Sequence, residues 1–141
     1  MNIALDMMGG DYAPLEAVKG ISLFLAEGDK NTTLTLIGDK PIVEALLLEH
    51  NIPSDNITLL HASEVIGMHE HPTKALREKL QSSIAIGFEL LASGKTDAFL
   101  SAGNSGAMMV GSLFSIKAIE GVSRPTIGAY IPRENGTLGL L

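Results

Sequence analysis

The stretch Asp97-Ala98-Phe99-Leu100-Ser101-Ala102-Gly103-Asn104-Ser105-Gly106-Ala107 passes from a short apolar run through small residues and two glycines into a long uncharged helical pattern. That order reads as strand, tight loop and helix N-terminus. A helix N-terminus presents amides without intrahelical acceptors and a partial positive charge, so it suits an anion. Glycines at 103 and 106 remove Cβ atoms where a phosphate oxygen would approach the backbone, and Asn104 and Ser105 add side-chain donors. A second reading stays open: the glycines let the helix pack on a sheet, and the polar residues only cap it.

A second turn of the same kind opens the chain. Asn2-Ile3-Ala4-Leu5-Asp6-Met7-Met8 reads as a buried strand, and Gly9-Gly10-Asp11 leads to a helix near Pro14, a residue suited to a first helical turn. In a parallel sheet the loops after the strands share one edge, where ligands bind. Two glycine turns of this kind are expected to face one crevice. Asp11 is expected to orient turn amides or cap the helix, because a carboxylate beside a phosphate repels it.

The rest of the chain extends the alternation. Strands are predicted at 3–7, 33–37, 57–61, 98–101 and 126–131. Helices are predicted at about 15–26, 42–49, 73–92 and 104–119. The first carries Leu15, Val18, Ile21 and Leu25 on one face, with Gly28 as its stop. The third carries Leu76, Leu80, Ile84, Phe88 and Leu91 at near-helical spacing. The fourth is apolar almost all round, which predicts burial on two sides, in a thick core or a subunit interface. The pattern predicts a single α/β domain over residues 1–141, with a mostly parallel sheet between two helix layers. Residues 137–141 read as the start of a strand.

Composition narrows the function. With 141 residues, 45% of them hydrophobic, the chain can bury a real core. It has no Trp and no Cys, so the core is aliphatic and methionine-rich, and disulfides, thiolate metal sites and a cysteine nucleophile are excluded. A net charge of −6 argues against broad nucleic-acid binding. Residues 98–116 lack charge, yet the serines, asparagine and glycines within them argue against a membrane span. The start of the chain lacks the basic and long apolar regions of a signal peptide, and the expected location is the cytoplasm.

Other candidates are weaker. His69-Glu70-His71 lacks a third metal ligand at a recognisable spacing and reads as a solvated loop. His61, at a strand end, reads as hydrogen-bonded near the sheet edge. Gly103-Asn104-Ser105-Gly106 is not a nucleophile elbow, so its serine is assigned hydrogen bonding. Lys74, Arg77 and Lys79 cluster on one helix, either as a solvated face or as an anion clamp, and Arg124 is a similar candidate. No Walker motif and no complete G-x-G-x-x-G is present.

From end to end the chain resembles the PlsX family of bacterial phosphate acyltransferases. The resemblance is carried by Leu5-Asp6-Met7-Met8-Gly9-Gly10-Asp11 with Pro14, and by His61-Ala62-Ser63-Glu64-Val65-Ile66 with Met68 and Pro72. It continues in Ala75-Leu76-Arg77 with Lys79 and Ser82-Ser83, in residues 97–107 as quoted above, and in Ser123-Arg124-Pro125. Met7 and Ser105 stand where the family usually has Ala and Thr. Leu80 and Gln81 replace a Lys and an Asp, which weakens a strongly basic patch on that helix. Family members are about twice as long, so the resemblance implies the N-terminal part of a larger enzyme whose fold is incomplete here.

The implied fold is three-layered and Rossmann-like, of the isopropylmalate dehydrogenase and phosphotransacetylase kind. The implied reaction moves a fatty acyl group from acyl-acyl carrier protein to inorganic phosphate, giving acyl phosphate for phospholipid synthesis, with no metal or organic cofactor. Under this resemblance Gly103, Asn104, Ser105 and Gly106 cradle phosphate or the oxyanion, with Asn104 as the catalytic donor. Gly9, Gly10 and Asp11 shape the opposite wall, Lys79 and Arg124 contact anions, and Met8, Met108 and Met109 are adaptable enough to line an acyl groove. A homodimer with peripheral membrane contact is implied. The alternatives are a phosphotransacetylase-like enzyme using coenzyme A, an isopropylmalate-type dehydrogenase, and a truncated domain that dimerises or binds carrier protein without catalysis. The lack of an acidic metal cluster counts against the dehydrogenase.

Overall fold

A computed structural model describes residues 1–27, 31–123, 125–132 and 138–140. Four strands form one parallel sheet: β1 (Asn2–Asp6), β2 (Thr33–Gly38), β3 (Ile57–His61) and β4 (Ala98–Leu100). Their order is β3-β2-β1-β4, with Leu5 in register with Leu36 on one side and Leu100 on the other. The chain steps outward from β1 to β3, then crosses to place β4 on the far side of β1. This reversal creates a switch point between β1 and β4.

Strand alternation sends side chains to two layers. Leu34 and Leu36, with Met7, pack under α1 (Leu15–Ala26) and α2 (Lys40–Glu49) through Val18, Ile21, Val43 and Leu47. Ala4 and Ile37 point the other way, toward Ile86 and Leu90 of α4 (Ser83–Ala92). Helices thus cover both faces, as a parallel sheet with apolar residues on each face requires. A third cluster joins Ala75 of α3 (Pro72–Glu78), Ile84 and Phe88 of α4, and Ala107 of α5 (Ser105–Ser115). There the Phe88 and Phe99 rings meet edge to face, with centroids 5.3 Å apart.

Local chemistry sets the helix ends. Asp39 caps α2 by accepting from the Ile42 amide at 3.4 Å, and Ser82 caps α4 by accepting from the Ala85 amide at 3.3 Å. Asn51 and Gly94 follow α2 and α4 with φ of 53° and 68°, the left-handed turn that stops a helix.

Three expectations require correction. Residues 73–92 are two helices, not one. The break at 79–82 arises because Glu64 bridges to this segment: its amide donates to the Gln81 carbonyl at 3.3 Å, and its carboxylate accepts from the Gln81 amide at 2.9 Å. Leu80, inside the apolar periodicity, is consequently 65% exposed. Second, α5 ends at Ser115 rather than near residue 119, before a left-handed Lys117 with φ of 70°. Third, the strand predicted at 126–131 is reduced to β5 (Tyr130–Pro132), which pairs antiparallel with β6 (Leu138–Leu140) in a separate ribbon. Five intervening residues are too few for the crossover a parallel pair needs. Gly28, Arg124 and Leu141 lie outside the described residues. Among the described residues no helix is long and apolar enough to cross a membrane.

Candidate active site

The loops that leave β1 and β4 meet at the carboxyl edge of the sheet, at the switch point. Their contact is backbone on backbone. A methyl group on Gly9 would stand 2.5 Å from the Gly103 nitrogen, and one on Gly103 would stand 2.9 Å from the Gly9 Cα. Gly10 has φ of +90°, a conformation glycine adopts without strain, and its missing Cβ would lie 3.3 Å from Ala102. Gly106 gives its space to Pro72 at the start of α3. The two glycine turns therefore pack directly against each other, and Gly9, Gly103 and Gly106 make room for protein rather than for an open anion cradle.

Asp6 holds this junction together. It is 3% exposed. Its Oδ1 accepts from the Met8 amide at 2.9 Å, and its Oδ2 accepts from the Ser101 hydroxyl at 2.7 Å. Ser101 Oγ in turn accepts from the Gly103 amide at 3.0 Å. Asp11 is exposed, and the N-cap position of α1 belongs to Pro14, so the turn-orienting role expected of Asp11 falls to Asp6. Sequence reasoning treated Asp6 as part of a buried strand. The signal for more was an acid directly after the apolar run Ile3-Ala4-Leu5, at the last position of the strand.

Asn104 is buried and fully engaged. Its Oδ1 accepts from the Ala107 amide at 3.0 Å, capping α5. Its Nδ2 donates to the main-chain oxygens of Gly67 and Glu70 at 3.0 and 3.1 Å, with a longer contact of 3.4 Å to Met68. The side chain thus clasps the loop after β3 to the start of α5. Lys79 serves the same loop. Its ammonium donates to the Val65 carbonyl at 2.7 Å and pairs with Glu70 Oε1 at 2.6 Å. Glu70 also accepts from the Gly67 amide at 2.6 Å. The Lys79 hydrogen bond, followed by the Gly67 amide, holds the Glu70 carboxyl below its ordinary value. His61 accepts through Nδ1 from the Lys40 amide at 3.2 Å, as a hydrogen-bonded residue of the sheet edge.

What remains open to solvent is a cleft of about 370 Å³ beside the first turn of α5. Ser101, Gly103, Ser105, Met108 and Met109 line it, together with residues 125–127. The amides of Ser105 and Gly106 are the first two of the helix and have no intrahelical acceptor. Ser105 is exposed, so its hydroxyl reaches the same space. Of the predicted site residues, the fold brings Gly9, Gly10, Gly103, Asn104, Ser105 and Gly106 together. It turns Lys79 toward Glu70 and leaves Asp11 outside the junction.

A four-stranded parallel sheet covered by helices on both faces, with a cleft at its switch point, defines the class as an α/β protein. The chain belongs to the family described as "Fatty acid synthesis protein", which it matches over residues 1–141. It is 43% identical over 141 residues to a phosphate acyltransferase of Thermoanaerobacterium thermosaccharolyticum, covering all of this chain and 40% of that protein. It is 46% identical over 140 residues to a phosphate acyltransferase of Endomicrobium trichonymphae, covering 96% of this chain and 41% of that protein. The chain thus spans about 40% of the length of these curated relatives, which exceed the twofold length the resemblance implied. The EutD phosphotransacetylase from Staphylococcus aureus shares its fold, with a TM-score of 0.62 at 21% identity over 99% of this chain and 44% of that one.

Proposed function

We propose that this chain forms the phosphate-holding side of an enzyme that transfers a fatty acyl group from acyl-acyl carrier protein to inorganic phosphate. The observation that carries the reading is the cleft at the β1–β4 junction, which lies beside the N-terminus of α5 and is lined by Ser105, the first residue of that helix. Family membership supplies the acyl chemistry, since the relatives that the chain matches are phosphate acyltransferases.

The roles follow from what each group has left to give. The amides of Ser105 and Gly106, with the Ser105 hydroxyl, bind phosphate oxygens. Gly9, Gly10 and Gly103 let the two loops close to form one wall. Asn104 positions this turn by fixing it to the loop after β3, and Lys79 with Glu70 fixes that loop in turn. A phosphate oxygen held beside the thioester attacks its carbonyl carbon, a step dominated by positioning. The carbon–sulfur bond breaks as the new carbon–oxygen bond persists, and the carrier protein leaves as a thiolate. Neither a metal nor an organic cofactor enters this scheme. Met108 and Met109 border the cleft and suit an acyl chain entering it.

A homodimer belongs to the same proposal. Leu113 and Phe114 of α5, with Ile116 just beyond it, leave an apolar outer face, which a second subunit or the further length of the relatives would cover. Peripheral contact with the inner face of the membrane in the full-length protein extends the proposal further.

The test is to incubate the full-length gene product with acyl-acyl carrier protein and phosphate, and to follow acyl phosphate by phosphorus NMR. Acyl phosphate formed from the carrier-protein thioester supports the reading. Product from acyl-coenzyme A alone would assign the phosphotransacetylase chemistry instead. Carrier-protein binding without product would leave a non-catalytic binding domain.

A further inference from the structure

We infer that Asp6 is a positioning residue that fixes the Ser101 hydroxyl as an acceptor toward the cleft, so that the site prefers an oxyanion that still carries a proton. The inference rests on the anion reading of the cleft. A serine hydroxyl has one proton and two lone pairs. Here the proton goes to Asp6 Oδ2 at 2.7 Å, and one lone pair takes the Gly103 amide at 3.0 Å. What Ser101 has left to offer the cleft it lines is a lone pair. Asp6 cannot release the proton to another arrangement easily, because its other oxygen is committed to the Met8 amide and the carboxylate is buried against the Gly9–Gly103 contact.

The consequence is chemical selection. Phosphate near neutral pH carries at least one P–OH group, which can donate to Ser101. Arsenate does the same. Sulfate carries no proton, so one of its oxygens would face the Ser101 lone pair with no hydrogen between them. An anion oxygen facing a lone pair with no hydrogen between them typically weakens binding about tenfold or more. The same hydrogen bond would park the protonated oxygen of phosphate at Ser101 and leave unprotonated oxygens free to attack. No proton is transferred in this arrangement.

Asp6→Asn tests the polarity of the chain. The Met8 amide needs an acceptor, so the Asn oxygen takes that side and its NH₂ faces Ser101. The serine proton is then displaced toward the cleft, and Ser101 becomes a donor to the anion. Calorimetric titration of the full-length protein with sodium phosphate, arsenate and sulfate reads the result. Phosphate and arsenate are expected to bind about tenfold or more tightly than sulfate. The preference is expected to vanish in Asp6→Asn, and also in Ser101→Ala, which serves if the first variant does not fold. A merely structural role would weaken all three anions together and leave their ratio unchanged. Equal affinity for phosphate and sulfate in the unaltered protein would overturn this inference while leaving the anion site in place. Binding of neither anion would overturn the reading of the cleft itself, and the inference with it.

Discussion

Asn104 Nδ2 donates to the Gly67 carbonyl at 3.0 Å, across 37 residues of sequence, while its Oδ1 caps the helix that begins at the next residue. One side chain therefore sets two relationships: where α5 starts, and how the loop after β3 lies against it. Asn104→Ala is expected to remove both. Loss of the cap costs about 1 kcal/mol, and the stranded loop carbonyls add a comparable amount. Turnover in the full-length protein is expected to fall by about tenfold to a hundredfold through displacement of the Ser105 and Gly106 amides. Asn104→Asp separates the effects, since it keeps the cap and loses the donors. Chemical unfolding and steady-state kinetics on both variants check this, and normal turnover in Asn104→Asp would confine Asn104 to capping.

The Gly9–Gly103 contact leaves no room for a side chain on either loop. Gly103→Ala would drive a methyl into the Gly9 backbone, and backbone cannot rotate away as a side-chain tip can. Overpacking of this kind typically costs about 1–3 kcal/mol, and Gly9→Ala is expected to fall in the same range. The pair should be non-additive, because either methyl alone already forces the loops apart. Urea unfolding of the single and double variants measures it.

Glu70 gives the loop a pH dependence of defined sign. Its folded pKa lies below the ordinary value of 4.5 because Lys79 and the Gly67 amide favour the carboxylate. A depressed acid stabilises the fold fully above its unfolded value, and this stabilisation is lost as pH falls through the folded value. The contribution is modest, since both side chains are about one-third exposed. The thermal midpoint of Glu70→Gln is expected to lie below that of the parent at neutral pH. The two should converge once the pH has dropped well under 4.5. A gap that persists in acid would mean that Glu70 acts through shape rather than charge.

The sheet and its first two helices were legible because each carries its own local signal. The period-two and period-3.6 apolar patterns, Asp39 before Pro41 and the glycine turns all point the same way. The break between α3 and α4 was not legible, because Leu76, Leu80 and Ile84 keep helical spacing straight through it. The bond that breaks the helix comes from Glu64, on a loop elsewhere in the chain. The location of the site was readable from two glycine turns after strands. The division of labour inside it was not. Asn104 and Lys79 look like free donors in sequence, and only the fold shows their protons already placed on the 65–70 loop. Asp6 was obscured for the converse reason, as its partner Ser101 lies 95 residues away, just past the end of the neighbouring strand β4.

Residues 1–141 expressed alone are expected to be catalytically silent. Ligand sites in open parallel sheets are built from loops on both sides of the switch point, and β4 is the edge strand on its side here. Leu100 on that strand is 53% exposed. Beside it an apolar cavity of about 290 Å³, lined by Leu5, Ala17, Phe24 and Leu100 among others, stands open to solvent. The chain matches about 40% of the length of its relatives, which leaves them further chain with which to complete a crevice. An uncovered apolar edge also favours association between chains. The 141-residue chain and the full-length gene product should be compared at equal concentration, with acyl phosphate formation and light scattering as readouts. Silence with aggregation in the short chain, and activity in the long one, is the expected pair of results. Comparable activity would mean that the cleft between β1, β4 and α5 holds every group the reaction needs.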